Sequence, residues 1–137
     1  MRRQLAGGLE LDDDPSRVDL DELHRFLSTE AYWALGRSRE TVERLVREAS
    51  RVVGVYHGVR LVGFARAASD RVSFAYLADV YILPELQGRG VGEALVREIV
   101  DGSPFANVRW LLHTRDAHGL YEKLGFESPS ERLMERV

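Results

Sequence analysis

The sequence predicts an α/β domain in which helices flank a mixed, mostly antiparallel central sheet. Three observations point there. Two amphipathic helical patterns precede Arg51. From Arg51 to Leu83 the chain reads as three strands, close enough in sequence for an antiparallel meander. The third of these, Val72 to Leu83, is apolar on both alternating faces: Phe74, Tyr76, Ala78, Val80 and Ile82 on one, Ala75, Leu77, Tyr81 and Leu83 on the other. A strand of that kind is covered on both sides.

The elements follow in order. The segment from Glu10 to Glu22, with Asp12-Asp13-Asp14-Pro15, is expected as a solvated acidic loop. Asp19 is a helix N-cap with Glu22 three residues on, and Leu20, Leu23 and Leu27 follow at helical spacing. Ser38 caps a second helix carrying Val42, Leu45, Val46 and Ala49. Between them Ala31 to Arg37 forms a loop with two large aromatics. Val52 to His57 is a strand turning at Gly58, and Arg60 to Ala67 is the next, turning at Ser69-Asp70. After Val72 to Leu83 and Pro84 comes a glycine segment, then a helix with Val91, Ala94, Leu95 and Ile99 on one face, ended by Gly102-Ser103-Pro104. Val108 to His113 is a further strand. Asp116 is expected to cap a short helix that ends at Gly125, and Glu131 to Val137 to add an edge strand.

Composition narrows the function. The 137 residues suit one domain with a single core. The net charge of −3 does not favour nucleic acid as a general partner. With no cysteine, disulfides, thiolate metal sites and a cysteine acyl intermediate are excluded. His113 and His118 lack a convincing metal-ligand spacing, so no metal is expected. Met1-Arg2-Arg3 leads into no long apolar run, so neither a signal peptide nor a membrane span is expected, and a cytoplasmic location fits.

The segment Gln87-Gly88-Arg89-Gly90-Val91-Gly92 carries the chemistry. A strand that ends in a glycine-rich turn and opens into a helix presents backbone N–H groups and the positive helix end to an anion, and a pyrophosphate is the natural guest. The NTPase phosphate loop requires Gly-Lys-Ser/Thr, but Gly92 is followed by Glu93 and Ala94. The dinucleotide fingerprint requires G-x-G-x-x-G, but the spacing here is G-x-G-x-G. What remains is Gln/Arg-x-x-Gly-x-Gly/Ala, matched by Gln87, Gly90 and Gly92.

This segment, together with Ala117 to Phe126 (Ala-x-x-Leu-Tyr-Glu-Lys-Leu-Gly-Phe), resembles the GNAT superfamily of acetyl-CoA-dependent N-acetyltransferases. The resemblance runs from about Arg51 to Phe126. It implies the GNAT-like sheet with a splayed central strand pair, acetyl-CoA as cosubstrate, and transfer of its acetyl group to a primary amine. Because the chain has no cysteine, attack is expected to be direct, within a ternary complex. A small or amino-acid-like acceptor is the first expectation and a peptide or protein amine the next. A non-catalytic acetyl-CoA sensor is the reading from another class. A monomer or a homodimer fits equally.

The resemblance also assigns residues. Gln87, Gly88, Arg89, Gly90, Val91 and Gly92 hold the CoA pyrophosphate, mainly by backbone, with Arg89 either touching phosphate or merely solvated. Val80, Tyr81 and Ile82 pair their backbone with the pantetheine arm, and the Val80 N–H polarises the acetyl carbonyl. Thr114, Ala117 and Leu120 border the cofactor; many relatives have Asn at the position of Thr114. Tyr121 protonates the leaving thiolate, since a phenol with an ordinary pKa of about 10 is an available acid. Asp79, the only charged residue between Val72 and Pro84, is the first candidate for the base; a structural carboxylate paired with backbone amides or an arginine is the alternative. His113 is the second candidate. Tyr32, Trp33, Arg37 and His113 border the acceptor. The aromatics either shape that cleft or plug the core, and Arg37 either pairs with an acceptor carboxylate or lies on the surface.

Overall fold

A computed structural model describes all of residues 1–137. The chain forms a six-stranded sheet in sequential order, β1 (Arg2–Gln4), β2 (Leu9–Asp12), β3 (Arg51–His57), β4 (Arg60–Ser69), β5 (Phe74–Ile82) and β6 (Arg109–Leu112). Each neighbouring pair is antiparallel except β5 and β6, which run parallel. The connection between that pair is a helix, α3 (Val91–Asp101), because a parallel return needs a crossover rather than a hairpin. The remaining helices are α1 (Leu20–Thr29), α2 (Arg39–Glu48) and α4 (His118–Lys123). No helix is long and apolar enough to cross a membrane.

The caps of α1 and α2 are those expected. Asp19 accepts from the Glu22 N–H and Ser38 from the Thr41 N–H, so each helix begins where a side-chain oxygen meets an orphan amide. Successive side chains of a strand point to opposite faces. Tyr81 stacks on Phe26 of α1 with ring centroids 3.9 Å apart, whereas Ile82 faces Gly92 of α3. Helices therefore cover both faces of β5 at its end, whereas Tyr76, Ala78 and Val80 face an open cavity instead of a helix.

The structure corrects three expectations. The acidic segment is not wholly a loop: Leu9 to Asp12 is a central strand, with Leu9 and Leu11 in the core and Asp12 buried between Arg17 and the Asp14 N–H. The alternation of Leu9 and Leu11 was outweighed in the sequence by the carboxylates around it. Residues Glu131 to Val137 form no strand; Met134 and Val137 are exposed, and the segment buries too little to be held in the sheet, leaving β6 at its edge. Asp116 does not cap α4. The hydroxyl of Thr114 accepts from the Ala117 N–H instead, at 3.1 Å, while Gly125 takes the left-handed conformation expected past the helix end.

Candidate active site

The site is built by an irregularity in β5. Phe64 faces Tyr81 and Arg66 faces Ala78, so Ala65 alone spans Asp79 and Val80. The extra residue makes a β-bulge, and Asp79 adopts a φ of +54°, in the left-handed region that Asp tolerates better than most side chains. The bulge turns the Asp79 carboxylate beneath the loop between α1 and α2. There Trp33 Nε1 donates to Oδ1 at 2.9 Å, Arg37 Nη1 reaches Oδ1 at 2.9 Å and Oδ2 at 3.0 Å, and Arg66 Nε donates to Oδ2 at 2.9 Å.

Those contacts occupy both lone pairs of each carboxylate oxygen. Asp79 is only 5% exposed, and two guanidiniums favour its charge. These contacts fit the alternative of a structural carboxylate paired with arginine. The same contacts engage Trp33 Nε1 and Arg37 Nη1, two of the residues expected to border the acceptor. Arg37 Nε and Nη2 and both Nη atoms of Arg66 nonetheless meet no protein acceptor.

Beside this cluster lies an open cavity of about 490 Å³, lined by Tyr32, Trp33, Arg37, Arg66, Tyr76 and Asp79 together with Val80, His113, Thr114, Ala117 and Tyr121. Tyr32 and Trp33 meet edge to face, the Tyr32 oxygen accepts from the Arg115 N–H, and the Arg115 guanidinium lies 3.8 Å from the Tyr32 ring centre. Tyr121 is 8% exposed and packs against Phe126. Burial, with lesser help from Tyr32 and Asp116, pushes its phenol up to about 12, so it is an uncharged acid at neutral pH. Burial likewise raises the Tyr76 phenol, Arg66 opposing and Glu135 and Asp79 assisting.

Pairing between β5 and β6 covers only Phe74 to Leu77 and Arg109 to Leu112. Beyond Leu77, β5 has no neighbour on that side, and Val80 lines the resulting opening. The strand then enters the glycine loop. Gln87 Nε2 donates to the Ile82 carbonyl at 3.2 Å and ties the loop to the strand end. Gly88 and Gly90 have φ of +80° and +77°, and a side chain at either would meet nothing within 4 Å. From Gly88 to Glu93 no amide finds an acceptor in the protein; the first helical bond of α3 runs from the Ala94 N–H to the Gly90 carbonyl. Such a row of inward-free amides at a helix start is a fit for pyrophosphate.

The expected residues are thus gathered unevenly. Tyr32, Trp33, Arg37, Asp79, Val80, His113, Thr114, Ala117 and Tyr121 share the cavity. The side chains of Tyr81 and Ile82 are core, Leu120 is half-buried outside the cavity lining, and Arg89 is exposed without a partner. Sequence reasoning missed Arg66, Tyr76, Arg115 and Glu135. Arg66 had a signal, a lone charge in the apolar run Leu61 to Ala68, but its partner depends on the bulge.

Comparison with known proteins gives one family. The model of the acetyltransferase (GNAT) family matches residues 5–126. A GCN5-like protein acetyltransferase of Mycobacterium tuberculosis is 41% identical over 78 residues, 50% of this chain, which spans 37% of that relative's length. A solved structure from Xanthomonas campestris, assigned to the same family, is 38% identical, with a TM-score of 0.87 over 94% of this chain and 92% of that one. N-acetylglutamate synthase of Neisseria gonorrhoeae, solved with coenzyme A and N-acetyl-glutamate, shares the fold at 20% identity, with a TM-score of 0.76 over 96% of this chain and 31% of that one.

Proposed function

The chain belongs to the acetyltransferase (GNAT) family, and on that premise we propose that it moves the acetyl group of acetyl-CoA to the primary amine of a small, carboxylate-bearing acceptor, by direct attack with both substrates bound. Members of this family use acetyl-CoA, which supplies the acyl thioester.

The residues divide the work. The free amides of Gly88 to Glu93 and the positive end of α3 receive the pyrophosphate, where no Cβ at Gly88 or Gly90 obstructs approach. The unpaired side of β5 offers backbone groups to the pantetheine arm, and in this reading the N–H of Val80, which lines the cavity, polarises the acetyl carbonyl. Tyr121, kept protonated by burial, gives its proton to the departing sulfur.

The acceptor class rests on one observation: two arginines share a single carboxylate. Arg37 and Arg66 satisfy Asp79 with part of their donors and leave a surplus positive charge and free N–H groups on the cavity wall. An acceptor carboxylate would complete them in charge-assisted hydrogen bonds. The reading is tested by thiol release from acetyl-CoA across a panel of amines. Amino acids and other amino-carboxylates should turn over well above their decarboxylated counterparts. Equal rates for both sets would remove the carboxylate from the reading. Binding without turnover on any amine would favour a sensor, and no thermal stabilisation by millimolar acetyl-CoA would remove CoA altogether; a ligand at a hundredfold excess over its Kd stabilises by about 3 kcal/mol.

A further inference from the structure

With Asp79 saturated, the acetyl acceptor still needs a group to take its proton. An amine is mostly protonated at neutral pH and attacks only when neutral. Tyr76 and His113 lie on the cavity wall and Glu135 outside it, and the three form a line: the Tyr76 hydroxyl meets His113 Nδ1, and His113 Nε2 meets the exposed Glu135 Oε2 at 2.7 Å. They come from three places, β5, the end of β6 and the C-terminal segment. No regular element forces that meeting.

Hydrogen-bond inventory fixes the direction of the line. An ionised Glu135 only accepts, so Nε2 carries a proton; a neutral imidazole then has a bare Nδ1, which can only accept, so the Tyr76 O–H donates to it. That leaves the Tyr76 oxygen with lone pairs for a donor in the cavity. An acceptor ammonium is such a donor.

We propose that Tyr76, His113 and Glu135 form the proton relay that deprotonates the acceptor amine, a proposal that rests on the acetyltransferase reading above. The ammonium N–H bond breaks and its proton passes to the Tyr76 oxygen. The Tyr76 O–H bond breaks in the same movement and its proton passes to His113 Nδ1. The amine keeps the electron pair and becomes the nucleophile, Tyr76 ends neutral, and the imidazolium is held by Glu135. Histidine suits the terminus because imidazole ordinarily changes charge near neutrality. Glu135 is a positioning residue: its exposed carboxylate accepts from Nε2, holding that tautomer, and balances the imidazolium charge. The remaining charged groups around the cavity are Arg66 on β4, Asp79 on β5, Arg37 in the helical loop, and Arg115 and Asp116 beyond β6; Arg37, Arg66 and Asp79 are engaged with one another.

Two measurements test the relay. In the free protein, nitrogen NMR of His113 at pH 8 should report the Nε2–H tautomer, and Glu135→Gln should disturb it. In turnover of acetyl-CoA with the twenty common L-amino acids, Tyr76→Phe and His113→Gln should each lower kcat about a hundredfold, within the range usual for loss of an acid–base group, with KM for acetyl-CoA unchanged. Glu135→Gln should give a smaller fall in kcat than either. An Nδ1–H tautomer in the wild-type protein overturns the relay whether or not any amino acid is acetylated. So does an unchanged kcat in His113→Gln where the wild type turns over. A wild type that acetylates nothing while showing the Nε2–H tautomer counts against the acetyltransferase reading and leaves the hydrogen-bond order of the relay supported.

Discussion

Arg66 Nε donates to Asp79 Oδ2 at 2.9 Å across the bulged pair of β4 and β5, so the most buried carboxylate of the cavity is ion-paired, and its candidate roles are an anchor for arginine and a base. Asp79→Asn separates the two roles. Asparagine accepts the left-handed backbone of this position as readily as aspartate, so the substitution removes charge with little backbone strain. Two guanidiniums then lose their counter-charge, and stability should fall by about 3 kcal/mol, the low end for breaking a buried pair, because Arg37 and Arg66 keep some exposure. Urea denaturation measures it. Unchanged stability with abolished turnover would instead mark Asp79 as a base.

The free donors of Arg66 are expected to serve the acceptor. Arg66→Gln should raise KM for an amino-carboxylate by about tenfold or more, the cost of a charge-assisted hydrogen bond, and leave KM for acetyl-CoA alone. Steady-state kinetics varying each substrate separates the two constants. A rise confined to acetyl-CoA would place Arg66 on the wrong substrate.

The glycines of the loop are expected to differ from one another. Gly90 sits at φ +77°, so Gly90→Ala forces a left-handed alanine at about 1–2 kcal/mol and should weaken acetyl-CoA binding as the loop shifts. Gly92 lies inside α3 without a positive φ, and a methyl there would meet only Ile82 Cγ1, at 3.8 Å. Gly92→Ala should therefore keep or slightly raise the melting temperature, since alanine is favoured over glycine in a helix. Calorimetry with and without acetyl-CoA checks both. Equal losses of stability would show that the loop conformation does not separate them.

Tyr121→Phe should lower kcat about a hundredfold at constant KM for acetyl-CoA. The wild-type phenol, pushed up to about 12 by burial, holds its proton throughout the range from neutral to pH 10. Its acid form is lost only as pH rises past that value. The kcat–pH profile should thus show no alkaline decline below pH 10 that disappears in Tyr121→Phe. Such a decline would mean that the phenol is not shielded.

Asp12 is expected to contribute to acid denaturation. Burial disfavours its charge, but hydrogen bonds from Arg17 and the Asp14 N–H, with the charge of Arg2, outweigh burial and hold the carboxyl below its ordinary value. A group lowered on folding stabilises fully above the ordinary carboxylate range, roughly pH 4, and that contribution is lost as pH falls through the folded value. The melting temperature of Asp12→Asn should lie well below wild type at pH 7, with the gap narrowing at pH 3. A gap independent of pH would assign the loss to packing alone.

Legibility in the sequence followed the range of the forces involved. Caps, amphipathic helices and the two-sided strand were readable because each rests on neighbours within a few residues: Asp19 with Glu22, Ser38 with Thr41, Tyr81 beside Ile82. The N-terminal hairpin was not, since Leu9 and Leu11 declare a strand only once β3 lies beside them. The C-terminal segment failed in the other direction: it was expected as an edge strand, but its apolar side chains Leu133, Met134 and Val137 find nothing to cover.

By itself the sequence determined the glycine loop, the tyrosine of α4 and the family they imply, because loop spacing and positive φ are local matters: Gly88, Gly90 and Gly125 all stand in the left-handed region. Only the tertiary structure decided what the cavity's charges do. Trp33, Arg37 and Arg66 approach Asp79 from 46, 42 and 13 residues away, and Glu135 reaches His113 from 22. Coulomb and hydrogen-bond energies depend on distance in space, and the β5 bulge sets those distances for Asp79. The same carboxylate that reads as a candidate base in one dimension is, in three, ion-paired with two arginines on the cavity wall.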